Sequence, residues 1–143
     1  MTGDAELLNY IHQNSEMGKD TIKQLTGIVK DDSFNKNLES QLNEYKKIFD
    51  LSDAFLKEMN KEAKSINAFS KISTYIIINL NTLTNKTACH ISEMLIQGST
   101  MGIIDITKKL KEYKEADKKI LDLANNLLKF EQQNIEGLKK FLG

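Results

Sequence analysis

Ser15-Glu16-Met17-Gly18, followed by Ile22 and Leu25, returns later in the chain as Ser99-Thr100-Met101-Gly102, followed by Ile106 and Leu110. In each copy the isoleucine comes four residues after the glycine. An echo at this separation predicts two related helical hairpins rather than one irregular chain. Around the first copy, Leu8, Ile11, Ser15, Gly18, Ile22 and Leu25 recur every three or four residues, the period of one helix face. A first helix is therefore expected from after Asp4 to about Val29. Asp31, Asp32 and Ser33 offer N-cap groups and negative charge for a second helix. Its inner face should hold Phe34, Leu38, Gln41, Tyr45, Ile48, Leu51 and Phe55, and it should run to about Lys64.

Around the second copy, a third helix is expected over about residues 87–113. Asp117 then caps a fourth that continues to the C-terminus with Leu121, Leu127, Leu128, Ile135, Leu138 and Phe141 inward. Between the hairpins, Phe69, Ile72, Ile76, Leu80 and Leu83 keep a helical period while Asn and Thr crowd residues 79–85. One unbroken helix from Asn67 to Tyr113 would measure roughly 70 Å, far longer than its neighbours, so a break near Thr84-Asn85 is expected. The segment reads as a long crossover containing a short extra helix. The expected fold is all-α: one domain over residues 1–143, a four-helix bundle of two hairpins joined by that crossover.

Composition supports this reading and removes several function classes. The chain has no proline, no tryptophan and 7 glycines among 143 residues, with 40% hydrophobic residues, enough for a packed core. Twenty acidic residues balance 20 basic ones, and every basic residue is lysine. No net field draws the chain to nucleic acid or anionic lipid, and no arginine fork is present for phosphate or guanine. The single Cys89 excludes an internal disulfide and fits a reducing compartment. The start of the chain has no basic leader and no apolar run is long enough to span a membrane. A cytoplasmic location is the expectation. Phosphate-binding glycine loops, zinc-type cysteine clusters and nucleophile elbows are all missing from the sequence.

Helix 4 carries Glu131-Gln132-Gln133-Asn134, with apolar residues at −3, +4, +7 and +10 from Glu131. Helix 2 matches this phase with Gln41 as origin, which sets Gln41-x-x-Glu44 beside Glu131-x-x-Asn134. The register Glu44-x-x-Lys47 fits the apolar stripe less well. Gln97-Gly98-Ser99 on helix 3 is similar to the Gly-Glu step at which rubrerythrin-like proteins carry a metal-binding glutamate, and Ser15 takes the same place on helix 1. On these residues and on helix order, the chain resembles the ferritin-like superfamily, and more closely its small members from spore-forming bacteria. The resemblance implies a four-helix bundle with one long crossover, and hints at sporulation or stress.

Carried over from that resemblance, the six di-iron ligand positions read Ser15, Gln41, Glu44, Ser99, Glu131 and Asn134. Two carboxylates remain and no histidine does. Iron needs several anionic or imidazole ligands to replace its hydration shell. Serine, glutamine and asparagine instead make neutral hydrogen bonds. The family's ferroxidase or peroxidase chemistry is therefore not expected here, nor is a cofactor. Glu44 and Glu131 can equally be solvated or lysine-paired surface residues, and Ser15 and Ser99, each three before a glycine, can simply be close-packing positions.

A different metal site, for iron or another divalent ion, could use His12 with Glu16 and His90 with Glu93, whose spacings of four and three share a helix face. Cys89 and His90 are neighbours and so point about 100° apart on a helix, which does not favour a thiolate–imidazole pair. Met17, Met94 and Met101 fall at helical spacing and read as packing residues. The expected function is non-catalytic, through assembly as a homodimer or higher oligomer or through a protein partner. Apolar residues of the crossover (Phe69, Tyr75, Ile76 and Ile77) are candidates for that contact. The alternative is a metal-binding ferritin-like protein, an iron store or oxidoreductase, with unconventional ligands.

Overall fold

A computed structural model describes residues 3–59 and 83–143 of the chain. They form four helices: α1 (Asp4–Leu25), α2 (Asp32–Glu58), α3 (Ala88–Glu112) and α4 (Lys118–Leu138), the last followed by one 3-10 turn over Lys139–Phe141. No strand occurs among the described residues. The segment expected to hold a crossover helix, with Phe69, Tyr75, Ile76 and Ile77, lies outside them.

Local chemistry sets the helix ends. The Asp31 carboxylate accepts from the Phe34 backbone N–H, Thr87 Oγ1 from that of His90 and Asp117 from that of Lys119, each satisfying a donor with no partner inside its helix. α1 ends at Leu25 rather than near Val29, because Thr26 turns extended and Gly27 takes a positive φ of 88°. Asn35 then pins the turn, accepting from Gly27 N at 3.0 Å and donating to the Val29 carbonyl at 2.8 Å. α2 stops at Glu58, short of Lys64, where Met59 leaves helical geometry. The expected break around Thr84-Asn85 is present, since residues 83–87 are not helical.

Short connections make α1–α2 and α3–α4 antiparallel hairpins. Gly18 meets Tyr45 and His12 meets Phe49 across the first. Gly102 meets Glu131 and Cys89 meets Leu142 across the second. Between hairpins, Gly3 lies against Tyr113, Phe34 against Phe141 and Glu58 against Lys119. The helices therefore point up, down, down and up. α2 ends and α3 begins at opposite ends of the bundle.

Leu8, Ile11, Ile22, Leu25, Phe34, Leu38, Ile48, Ile91, Ile106, Leu127 and Leu138 fill the core, each contributing about 1.5–3 kcal/mol by leaving water. On α2 the inward stripe passes from Ile48 to Ser52 and Leu56, not to Leu51, which is 40% exposed. The 3.6-residue period has by then rotated Leu51 out of the interface. On α4, Leu121, Leu128 and Ile135 are only half-buried, and the inner face is Ile120, Leu123, Ala124, Leu127, Glu131 and Asn134.

Candidate functional site

Midway along the bundle all four helices send a polar group or a gap toward one carboxylate, that of Glu131, which is 0% exposed. Tyr45 of α2 donates to Glu131 Oε1 at 3.1 Å. Its ring passes directly over Gly18 of α1, where any Cβ would collide with ring atoms. The edge of Phe130 supports the ring, with centroids 4.7 Å apart and planes at 79°. From α3, Gly102 leaves room: a Cβ there would stand 3.4 Å from Glu131 Cδ and 3.6 Å from Asn14 Nδ2.

Tyr10 and Asn14 sit four apart on α1 and so share a face. The Asn14 amide donates to the Tyr10 oxygen in a long contact of 3.5 Å. The Tyr10 phenol in turn is hydrogen-bonded to Asp105, three residues beyond Gly102 on α3. Burial pushes the Tyr10 phenol far above its ordinary range, and the negative charges of Asp105 and Glu131 push the same way. Tyr10 is thus a neutral hydroxyl and a poor source of phenolate. The centre pairs two phenols with two carboxylates through neutral donors, which is how a buried carboxylate avoids a large desolvation cost.

The six positions implied by the family resemblance do not converge on this centre. Glu131 is in it. Ser15 is buried, but its hydroxyl turns back onto the Ile11 and His12 carbonyls of its own helix, both at 2.9 Å. Ser99 is 5% exposed on α3. Gln41, Glu44 and Asn134 instead line an open groove of about 740 Å³ between α2 and α4. Gln41 donates there to Asn37 Oδ1 at 2.7 Å.

The two histidine pairs meet different surroundings. His12 is 4% exposed and packs on the Phe49 ring at 4.4 Å, with Nε2 3.7 Å from Asp53 Oδ1. Glu16 is half-buried on the same helix. His90 Nδ1 stands 4.0 Å from Glu93 Oε2 near the far end of α3, where Cys89 Sγ contacts the Leu142 carbonyl at 3.3 Å. Among the described residues no three His, Cys, Asp or Glu side chains are grouped to hold a metal ion.

Tyr10, Asn14 and Asp105 were not visible as site residues in the sequence, and Tyr45 read only as core. The spacing Tyr10-x-x-x-Asn14 and the acid three residues after Gly102 were the available signals. Comparison with protein-family models, with curated proteins and with solved structures gives no match to the chain.

Proposed function

We propose that this chain is a ferritin-like bundle whose centre is closed by phenol–carboxylate hydrogen bonds in place of a metal, and that it works without catalysis in the cytoplasm, through assembly as a homodimer or higher oligomer or through a protein partner. The up-down-down-up helix order supports the fold assignment, because a bundle with one long crossover has that order. The observation that carries the functional reading is the Tyr45–Glu131 hydrogen bond at 3.1 Å. It engages the one fully buried carboxylate among the described residues with a neutral donor where a metal-binding relative would offer an ion.

One arrangement favours a second reading. Asp105 and Glu131 both act on Tyr10, so two carboxylates border one buried phenol, and carboxylates are the ligands that iron or another divalent ion would need. Melting curves with ferrous iron, manganese or zinc decide between the two, since an ion that binds the native state must raise its stability. The first reading expects no rise in midpoint. A concentration-dependent rise that Glu131→Gln abolishes supports the second. Light scattering tests the assembly part: a dimer is expected, and a monomer at every concentration contradicts it.

A further inference from the structure

In a chain with 28% charged residues, residues 94–107 of α3 hold a single charge, Asp105, and that carboxylate is hydrogen-bonded to Tyr10 in the bundle centre. Yet α3 is not buried all round. Ile91, Ser92, Gly98, Ser99, Gly102 and Ile106 form its inner face. The opposite face presents Gln97, Thr100 and Ile104 to solvent, flanked by half-buried Ile96 and Ile103. Ile104 is 42% exposed, more than any other large apolar side chain among the described residues. The Thr100 hydroxyl is spent within the helix, donating to the Ile96 carbonyl at 2.8 Å. Charged and polar residues normally cover an outward helix face. Here charge is held to the two ends of the patch, with Glu93 at one and Lys108 and Lys111 at the other, all three exposed.

We infer that this face of α3 is where two copies of the chain meet, helix against helix in antiparallel sense. This names a surface for the assembly part of the reading above, on which it rests. Charge placement selects both the occupant and its direction. Glu93 and Lys111 lie about five helical turns apart, on one line of the α3 surface and roughly 27 Å from each other. A two-fold axis level with Gly102 sets Glu93 of each copy against Lys111 of the other. The same axis packs Ile104 of each copy on Thr100 of the other. The face is then complementary to itself, as a two-fold interface requires. Parallel pairing would oppose Glu93 to Glu93 and Lys111 to Lys111, and such like-charge contacts are costly. Exposed ion pairs contribute little each, so they set direction while the apolar middle supplies the attraction. A contact one helix wide falls at the small end of specific interfaces, and a micromolar dimer is expected.

The test is sedimentation equilibrium of the whole chain and its variants, each also melted at concentrations too low for association. Ile104→Lys should raise the dimer dissociation constant by roughly tenfold or more, since the contact would bury an unpaired ammonium. Its dilute melting midpoint should stay at the parent value, because position 104 lies outside the core. Glu93→Lys and Lys111→Glu should each weaken the dimer by roughly threefold or more. An equimolar mixture of those two variants should pair as tightly as the parent, because each supplies the charge that the other lacks. A parent dimer that survives Ile104→Lys unchanged refutes this surface and leaves assembly standing. Single charge variants that pair as well as the parent, or a mixture that pairs no better than its components, overturn the antiparallel arrangement. A parent chain that stays monomeric at every concentration refutes the assembly reading itself, and this surface with it.

Discussion

Tyr45 on α2 reaches across Gly18 of α1 to donate to the fully buried Glu131 of α4 at 3.1 Å, so one side chain ties three helices and both hairpins. Tyr45→Phe keeps the ring and removes only the donor. It should destabilise the fold by about 1–3 kcal/mol, since a buried carboxylate loses a partner. Denaturant melts of Tyr45→Phe, Glu131→Gln and the double variant should show coupling between the two sites. Additive effects would mean that the hydrogen bond contributes nothing to stability.

The two glycines of the sequence echo should behave differently. Alanine at Gly18 drives its Cβ into the Tyr45 ring, which is only 3% exposed and held by Phe130. A loss of about 1–3 kcal/mol is expected from overpacking. Alanine at Gly102 meets Glu131 and Asn14 at ordinary contact distances of 3.4 to 3.6 Å. It should be neutral or stabilise by about 0.5–1 kcal/mol, as helical glycine to alanine usually does. Leucine overpacks at either position. Thermal midpoints of the four variants check the order.

Alkaline stability should depend on Tyr10. The native state holds the Tyr10 proton more tightly than the unfolded chain, whose phenol titrates near its ordinary value of 10.0. Its contribution to stability is complete below that pH and is lost as pH rises beyond it, because the unfolded chain then ionises first. Tyr10→Phe should flatten the fall in stability above pH 10 relative to the parent chain, in denaturant melts at stepped pH. Equal slopes would contradict the burial of an un-ionised phenol.

Gln13 is 0% exposed, and among the described residues neither end of its amide has a hydrogen-bond partner. Gln13→Met preserves length and removes the polar atoms. It should raise stability by about 1–3 kcal/mol, the cost of an unmet buried amide. A lower melting midpoint for this variant would show that the amide has a role in the native state.

Much of the fold was legible because helical period and capping are local. The stripe Leu8, Ile11, Ser15, Gly18, Ile22, Leu25 is buried throughout, and Asp31 and Asp117 cap where their sequence context puts them. Leu51 misled, because after Ile48 the inner stripe takes a step of four to Ser52 and then to Leu56, where a step of three was equally open in the sequence. The echo marked the right glycines for an incomplete reason. Gly18 and Gly102 flank the centre, whereas Ser15 spends its hydroxyl on its own backbone. Tyr10 and Asn14 lie on a face of α1 adjoining the one that the apolar stripe defines. Their role depends on how the second hairpin docks, which no local pattern encodes. Asp105 belongs to no motif in the sequence for the same reason.

The claim that hydrogen bonds close the centre is tested most directly by elemental analysis. The chain would be expressed in medium supplemented with iron, manganese and zinc, and purified without chelator. Well under one equivalent of every metal is predicted, with no difference between the parent chain and Glu131→Gln. One or more equivalents bound to the parent and absent from Glu131→Gln would contradict it.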